Sequence, residues 1–330
     1  MTFNPGLNRV TLTDLQELPA GMAGTEAHTW LASWGLAARM SSRLPVVGQP
    51  SIPTAPLAIP ERLRACAPYP VALSALVEQE HPEALAFADE LGVALAALIA
   101  TLTLAPAEAR FARPEWPDSH WARWKQVRRI GLGGGQLSGS LGRRMVEHAR
   151  NWLPRLGAGE VQLSLATRPQ LLPLSGLARV LPSGEAILLD AGHTSIKRAS
   201  VVVDTGGIGS LTPWPSLSAP LHLTSGDGLT RYLVEAAAEL AQERPEVTQF
   251  GLSLSAHLGP QGLPLPGSLY STLAELDEPL EQALQALLSA RLNRPVHLRL
   301  LHEGKAAALA FGNQADAVIL LGTSVGGGLN

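Results

Sequence analysis

Three glycine-rich loops, each at the end of an apolar strand-like run, constrain the fold of this chain of 330 residues most strongly. In chain order they are IGLGGGQLSG at 130–139, DAGHTSIK at 190–197 and LLGTSVGGGL at 320–329. Because glycine has no side chain, backbone N–H groups in such loops can approach phosphate oxygens closely. The loops therefore predict a protein that binds phosphate groups.

Two common phosphate-binding motifs do not fit these loops. The sequence contains no GxxxxGK[ST] run, which excludes a P-loop of the Walker type. In the first loop, Gln136 stands where the third glycine of a dinucleotide fingerprint is needed. The strand expected at 161–166 also ends without the acidic residue that would bind a ribose, so a Rossmann site is disfavoured.

Composition limits the partners and the compartment. With 46% hydrophobic residues, 16% charged residues and a net charge of -3, the chain has no electrostatic reason to bind nucleic acid. The single cysteine, Cys66, excludes an internal disulfide and a cysteine zinc cluster, which favours the reducing cytoplasm. The longest apolar run, 91–104, is shorter than a membrane span, so no membrane partner is expected.

Strands that alternate with helices predict an α/β protein, and the length predicts two domains or lobes. Prolines at 41–62 predict an extended loop, a long core helix is predicted from Pro82, and AILLDAG followed by KRASVVVDTGG predicts a β-hairpin. The other predicted strands are RRIGLGGG, 161–166, 220–224, VTQFGLSLSAHL, VHLRLL and ADAVILLGTS. The other predicted helices are 140–153, 229–243, 271–290 and EGKAAALAF.

Some residues in the loops carry chemistry besides the glycines. Asp190 ends a buried strand, where its carboxylate is suited to Mg²⁺ or to water bound by Mg²⁺. Thr194 and Thr323 offer hydroxyl groups in the second and third loops. These loops together predict a nucleotide triphosphate with its metal ion.

The loops together resemble the phosphate and adenosine motifs of the ROK family of sugar kinases (repressor, open reading frame, kinase) and, more distantly, of hexokinases. These proteins belong to the actin-like ATPase superfamily, so the resemblance implies an α/β fold of two actin-like, ribonuclease H-like lobes with a nucleotide cleft between them. The residues that match the phosphate-1 motif are Asp190, Gly192, Thr194 and Lys197, with His193 in place of a usual glycine.

The other two nucleotide motifs are also similar to family sequences. GTSVGGG resembles the phosphate-2 sequence GTGIGGG and implies contacts from Gly322, Thr323, Ser324, Gly326 and Gly327. Gly133, Gly134 and Gly135 resemble the family's adenosine motif. LPLSGLAR is similar to the family's terminal helix, which implies that Gly176 lies near the nucleotide.

LLHEGKAAALAF resembles the family segment NDANAAAL, whose aspartate is the catalytic base. Glu303 falls on this aspartate and His302 on the preceding asparagine. A glutamate can take a proton from a sugar hydroxyl in the same way, although its extra methylene shifts the carboxylate. The alternative is that Glu303 only caps the helix that follows.

Sugar contacts are implied by two more segments. GMAGTEAH resembles GAAGEIGH, with His28 aligned and Glu26 displaced by one position. GLSLSAHLG is similar to a strand and loop that contact substrate, which implies roles for Ser255 and His257. Structural roles are the alternative for His257 and His302, and the family's zinc-binding cysteine cluster is absent.

The order of the motifs differs from that of the family, because the adenosine motif comes first. Joining the end of the chain to its start would restore the usual order, so a circular permutation is predicted. The predicted lobes are 1–182 plus 312–330, with the adenosine and phosphate-2 motifs, and 183–311, with phosphate-1 and the base.

The resemblance implies an ATP-dependent phosphotransferase that phosphorylates a hydroxyl of a sugar or sugar derivative, with ATP and Mg²⁺ as cofactors and Asp190 and Glu303 as catalytic residues. The alternative is an ATP-binding or ATPase switch, or a degenerate kinase, acting through protein partners. The sequence does not name the sugar, and a homodimer is left open.

Overall fold

The computed structural model describes residues 6–15, 18–44, 65–66, 68–205, 207–259, 261–266, 268–276 and 278–330. The predicted proline-rich loop at 41–62 lies outside these residues from 45 onwards. Its first three residues, 41–43, end a helix instead.

The described part of the chain contains the following strands and α-helices in a mixed α/β arrangement. The strands are β1 (Arg129–Gly133), β2 (Gln162–Leu165), β3 (Gly184–Ala191), β4 (Ser195–Asp204), β5 (Gly207–Ser218), β6 (Gln249–Leu254), β7 (His297–His302), β8 (Ala317–Leu321) and β9 (Val325–Leu329). The helices are α1 (Ala27–Leu31), α2 (Ser33–Arg43), α3 (Tyr69–Glu78), α4 (Pro82–Leu104), α5 (Ala107–Ala112), α6 (Asp118–Lys125), α7 (Gly139–Trp152), α8 (Leu172–Ala178), α9 (Gly226–Glu243), α10 (Leu280–Leu292) and α11 (Glu303–Phe311).

The chain divides into two compact units, each built around its own sheet. The first unit comprises Met1–Gln170 and Gly312–Asn330, and the second comprises Leu171–Phe311. The predicted lobes differ in placing the first boundary at 182, after α8 rather than before it. The assignment of these units as functional lobes stays a prediction.

The first unit contains a four-stranded sheet in the order β2-β1-β8-β9. β1 pairs in parallel with β2 and β8, and β9 pairs antiparallel with β8. Ile130, Leu132 and Ile319 from this sheet join a hydrophobic core with residues of α4 and α7. The strand, glycine turn and helix predicted around the first loop are therefore confirmed.

The helix α4 is apolar around most of its circumference because it lies inside this core. It starts with Pro82 at its N-terminus, as predicted, and Ala105 ends it in the left-handed conformation. Among the described residues, α4 is the one helix that is long and apolar enough to cross a membrane. However, 78% of its most apolar stretch is buried inside the protein. A buried core helix has the same composition.

The second unit contains a five-stranded sheet in the order β5-β4-β3-β6-β7. The predicted hairpin is confirmed by β3 and β4, and β3, β6 and β7 are parallel to one another. Side chains alternate between the two faces of a strand. Ile187 and Leu189 of β3 accordingly join the core beneath α9 and α10, whereas Leu188 joins the core beneath α8 and α11.

One predicted element of the second unit is wrong, and another begins later than predicted. The strand expected at 220–224 is an irregular segment, and the strand lies earlier, at β5, which contains Pro213 and Pro215. Proline lacks the N–H donor of a ladder but is tolerated at the edge of a sheet, which is where β5 lies. The helix expected at 271–290 is a short 3-10 turn, Ser271–Glu275, followed by α10, which begins after Pro279.

The end of the chain also differs from the sequence prediction. The last strand was expected over ADAVILLGTS, but β8 ends at Leu321 and the glycine run continues as β9. Leu7 fits against this strand, because an added Cβ at Gly327 would lie 2.7 Å from the Leu7 Cδ1. Glycine at position 327 of β9 thus leaves room for the Leu7 side chain.

The two sheets repeat one pattern of strands. β8 has an antiparallel neighbour, β9, and a parallel neighbour, β1, which pairs in parallel with β2. β3 has the equivalent neighbours β4, β6 and β7. The strands β3, β4, β6 and β7 of the second unit thus match β8, β9, β1 and β2 of the first unit, in that order.

We expect Gly176→Ala to destabilise the second unit, by about 1–3 kcal/mol or more, because overpacking forces backbone shifts. An added Cβ on this residue of α8 would lie 1.5 Å from the Ala306 backbone oxygen of α11. Ser175→Ala is the matched control, since it removes only a bond to the Leu171 oxygen and should stay within about 0.5 kcal/mol. Denaturant unfolding without nucleotide measures both, and equal stability would contradict the close packing of these helices.

Candidate functional site

A row of three polar side chains crosses the sheet of the second unit, from β4 through β3 to β6. Asp190 is paired in register with Lys197 on one side and with Ser253 on the other. Strand alternation places all three on the face that carries α8 and α11, the same face as Leu188. Asp190 lies in the penultimate position of β3, so the row lies near the edge where β3, β6 and β7 end.

Both carboxylate oxygens of Asp190 are bonded within this row. Lys197 Nζ lies 2.8 Å from Oδ2, and the Ser253 hydroxyl donates to Oδ1 at 2.5 Å. Asp190 is 1% exposed, and Ser253 is fully buried. A buried carboxylate is tolerated only with such compensation, because an unpaired charge in the interior is costly.

Glu303 brings a second carboxylate to the same edge, because it begins α11 immediately after β7. Burial and, to a smaller extent, repulsion by Asp190 raise the pKa of Glu303, and attraction by Lys197 partly opposes them, so that the net pKa is about 7. The residue keeps part of its surface exposed. A carboxyl group that is partly protonated near neutral pH is suited to accept a proton from a substrate.

Lys197 is attracted by both of these carboxylates. Burial by itself lowers the pKa of Lys197, but attraction by Asp190, the hydrogen bond to it and attraction by Glu303 outweigh burial, so the net shift is upward. The ammonium group is therefore protonated at neutral pH.

The turn between β3 and β4 carries the rest of the phosphate-1 motif. The Gly192 N–H donates to the backbone oxygens of Asp190 and Ser195, which closes the turn tightly. The Thr194 backbone oxygen accepts a bond from the Ala219 N–H. Burial lowers the pKa of His193, which favours a neutral ring in this turn.

Tyr270 fixes this turn from outside the motif. Its hydroxyl donates to the Gly192 backbone oxygen at 2.9 Å, and its side chain is fully buried. Burial raises the pKa of Tyr270, and the charges of Asp190 and Glu303 add to this shift. Neither Tyr270 nor Ser253 is among the predicted site residues: Ser253 lies in the strand part of GLSLSAHLG, Tyr270 lies outside the motifs, and only the fold brings both to Asp190.

The predicted sugar-contact residues of the second unit are adjacent to one another. The rings of His257 and His302 stack with their centroids 4.5 Å apart. Burial lowers the pKa of both, that of His302 to about 3 with a contribution from His257, so both rings are neutral at pH 7. Ser255 is buried, and its hydroxyl donates to the Ala191 oxygen at 3.0 Å.

His302 Nδ1 accepts the Gly304 N–H at 3.2 Å at the start of α11. The proton of the neutral ring is thereby assigned to Nε2. His302 therefore has a structural role at the helix start, and its other nitrogen is left as a donor.

The chemistry of the donor set around Asp190 fits Mg²⁺. The described residues contain no group of three or more His, Cys, Asp or Glu side chains arranged to hold a metal ion. Mg²⁺ is commonly held by one or two carboxylates while water and substrate phosphates complete its coordination. Asp190, with Glu303 beside it, is the part of such a site that a protein supplies.

In the first unit, the adenosine and phosphate-2 loops lie side by side, at the ends of β1 and β8. Gly133 of β1 is paired in register with Leu320 of β8, so both loops leave the same edge. The Gly322 backbone oxygen accepts bonds from the Ser33 N–H, the Ser33 hydroxyl and Gln136 Nε2. Gln136, the residue that does not fit a dinucleotide fingerprint, thus joins the two loops.

The remaining residues of the phosphate-2 motif form a turn and a strand. The Gly322 N–H donates to the Ser324 oxygen at 3.1 Å, so Thr323 lies at the tip of the turn between β8 and β9. Gly326 and Gly327 lie in β9, paired with Leu320 and Ile319. Gly326 and Gly327 therefore contribute to the sheet.

The predicted sugar residues Glu26 and His28 contact each other at the start of α1. Glu26 Oε2 lies 2.9 Å from His28 Nδ1, and Glu26 Oε1 lies 3.9 Å from Arg9. The His28 ring also lies 5.1 Å from the Trp34 ring. Both residues belong to the first unit, whereas Ser255, His257 and His302 belong to the second.

Gly176 lies in the second unit, in α8, where it packs on α11. The glycines of the adenosine motif, Gly133, Gly134 and Gly135, lie in the first unit. The packing of α8 on α11 accounts for a glycine at 176 by itself, and its predicted nucleotide contact stays a prediction.

No protein-family model and no curated protein matches this sequence. Among solved structures, the inorganic polyphosphate/ATP-glucomannokinase of Arthrobacter sp. strain KM is similar, with 24% identity and a TM-score of 0.29 over 44% of this chain and 58% of that chain. A ROK family glucokinase from Streptomyces griseus, solved with glucose and AMPPNP, has 25% identity and a TM-score of 0.31 over 44% of each chain. The chain thus spans about half the length of these two structures.

We expect Gly134→Ala to destabilise the first unit by about 1–3 kcal/mol. Gly134 has a φ of +98°, and an added Cβ would lie 2.2 Å from the Leu321 oxygen. The neighbouring Gly135→Ala is the control for stability, because an added Cβ there has no atom within 4 Å. Thermal unfolding measures both, and equal stability of the two variants would contradict the close approach of Gly134 to Leu321.

We expect the stability of the protein to reveal the raised pKa of Glu303. Between the ordinary carboxyl value of 4.5 and about 7, the folded protein holds a proton that the unfolded chain has lost. This group therefore contributes stability that falls as pH rises through that window. The histidines whose pKa is lowered contribute the opposite slope, equally with and without Glu303.

The comparison that isolates this effect is wild type against Glu303→Gln, in denaturant unfolding at pH 5 and pH 8. The variant should gain stability relative to wild type on going from pH 5 to pH 8. A difference that is constant over this range would mean that Glu303 titrates like an ordinary carboxyl group.

Proposed function

We propose that this protein is an ATP-dependent phosphotransferase that phosphorylates a hydroxyl of a sugar or sugar derivative. The observation that carries the proposal is the pair of carboxylates at one sheet edge. Asp190 is fixed by Lys197 and Ser253, and Glu303 has a pKa of about 7 beside them. Phosphoryl transfer to an alcohol needs a base near the hydroxyl and a carboxylate for the metal ion.

Glu303 is the proposed base. Its carboxylate would accept the proton of the substrate hydroxyl as the oxygen attacks the terminal phosphate of ATP. Above pH 7 the group is mostly ionised, and Lys197 stabilises the ionised form. His257 and His302, stacked as neutral rings in the same unit, are proposed to orient the sugar, with Ser255.

Asp190 is the proposed ligand for Mg²⁺, directly or through water. When bound with ATP, Mg²⁺ would neutralise charge on the phosphates. The turn at Gly192, His193 and Thr194 is proposed to contact phosphate through backbone N–H groups and a hydroxyl. Lys197 adds positive charge beside this turn.

Nucleotide contacts are also proposed within the first unit. Backbone N–H groups and hydroxyls of Gly322, Thr323 and Ser324 would contact phosphate, and the loop of Gly133, Gly134 and Gly135 would contact adenosine. The position of both loops at one edge of parallel strands supports this assignment, since ligands of α/β sheets bind outside the carboxyl ends of strands. Glu26 and His28 are proposed to contact the sugar.

The strand pattern supports a circularly permuted actin-like fold. The phosphate-1 turn joins β3 to β4, and the phosphate-2 turn joins the equivalent strands β8 and β9. In the second unit the matching strands follow each other along the chain, whereas in the first unit β8 and β9 come after β1 and β2. This is the order that a permutation of two repeated units produces.

A second candidate is an ATPase switch or a degenerate kinase that acts through protein partners. The observation that favours it is the pairing of Glu26 with His28 and Arg9, which occupies a carboxylate that a sugar would need.

The cytoplasmic location, the absence of nucleic-acid and membrane partners and a homodimer also stay predictions.

We expect ADP formation by the full chain, with Mg²⁺ and ATP, to depend on one class within a panel of hexoses, acetamido sugars and polyols. Glu303→Gln should lower this sugar-dependent rate by about 10²–10⁴-fold, because it removes the base and preserves the size of the side chain. Coupled detection of ADP measures the rates.

Lys305→Met is the control variant, because this exposed lysine lies two residues further along α11. It should retain the wild-type rate. Turnover of ATP that needs no sugar and is unaffected by Glu303→Gln would contradict the kinase proposal and favour the second candidate.

A further inference from the structure

We propose that Lys197 is a resident counter-ion of Asp190 that competes with a divalent cation for the same carboxylate. The inference rests on the proposed function only in naming Mg²⁺ as the cation that arrives. It concerns the cation-free protein, in which the lysine holds the position that the metal ion or its water would take.

Both oxygens of the Asp190 carboxylate already have a partner within the row. Oδ2 is 2.8 Å from Lys197 Nζ, and Oδ1 accepts the Ser253 hydroxyl. Asp190 is held on both sides by ladder partners, because β3 is the central strand of the sheet. Because the Asp190 side chain is also buried, the group that moves to admit a cation is the ammonium.

Lys197 is able to move where Asp190 is not. The Lys197 side chain is 27% exposed, whereas that of Asp190 is 2% exposed. A lysine carries its charge at the end of a flexible four-carbon stem. The attraction by Glu303 offers the ammonium a second anionic partner.

The negative charges of Asp190 and Glu303 explain why a lysine lies at position 197. Without Lys197, two carboxylates at one sheet edge would repel each other more strongly, since the charge of Asp190 already disfavours ionisation of Glu303. A divalent cation supplies the same compensation with twice the charge. Lys197 and the metal ion are therefore alternatives at Asp190, and binding of one opposes binding of the other.

The test is the affinity of the purified full chain for Mn²⁺, used as the paramagnetic probe for the Mg²⁺ site, without nucleotide or sugar. Free Mn²⁺ is measured by electron paramagnetic resonance. Lys197→Met should bind Mn²⁺ about tenfold more tightly than wild type, the factor expected from losing one charge-assisted hydrogen bond. Asp190→Asn should abolish this binding, and Lys305→Met, an exposed lysine on α11, should leave it unchanged.

A Lys197→Met protein that is folded by circular dichroism and binds Mn²⁺ no more tightly than wild type would overturn the proposal. Retention of Mn²⁺ binding in Asp190→Asn would also overturn it, because the site would then lie elsewhere.

A second measurement uses the wild-type chain, so it does not depend on the folding of a variant. The sequence has only three lysines, Lys125, Lys197 and Lys305, so ¹³Cε-lysine labelling gives three NMR signals. Mg²⁺ should shift the Lys197 signal, assigned with Lys197→Arg, and leave the other two in place. A Lys197 signal that does not respond to saturating Mg²⁺ would overturn the proposal. Because no sugar or ATP is present, these outcomes are independent of whether the protein proves to be a kinase.

Discussion

The buried carboxylate of Asp190 is the group on which the second unit depends. It lies on the central strand, and its compensation comes from both neighbouring strands, Lys197 of β4 and Ser253 of β6. A one-residue slip of either strand would turn its side chain to the opposite face and leave the charge unpaired. The register of the sheet and the charge at its edge are therefore mutually dependent.

The glycine loops of the first unit are held differently, because the segments 130–139 and 320–329 contain no charged residue. Their positions are fixed through one backbone oxygen, that of Gly322, which accepts three donors from Ser33 and Gln136. Gln136 follows the adenosine glycines, and Ser33 begins α2, so three separate segments meet at this oxygen. A glycine loop that makes few contacts of its own can in this way keep one conformation. Gly134, at positive φ against Leu321, adds a steric constraint to the same junction.

The sequence was sufficient for the elements whose signals are local. The helix from Pro82, the β3–β4 hairpin and the helix at Glu303 each have a periodic pattern with a proline, glycine or charged residue at an end. β5 was missed because Pro213 and Pro215 argue against a strand, and only its position at the sheet edge removes that objection. The roles of Ser253, Tyr270 and Gln136 could not be predicted from motifs, since these roles come from strand register and from contacts with distant backbone. In the site, the sequence indicated the charged residues but not what holds them.

The strand pattern explains why the loops were recognisable in an unusual order. A turn that is predicted to bind phosphate joins the antiparallel pair in each sheet. The loop after the next parallel strand carries Gly134 and Gly135 in one unit and Ser255 and His257 in the other. Each loop is set by its own pair of strands, through ladder bonds and register that do not depend on which strand comes first along the chain. Rearranging the order of strands therefore preserves the local geometry of every loop as long as the strand pairs survive. The geometry of each loop depends on which strands are neighbours in space, and this pattern of neighbours is the same in both units.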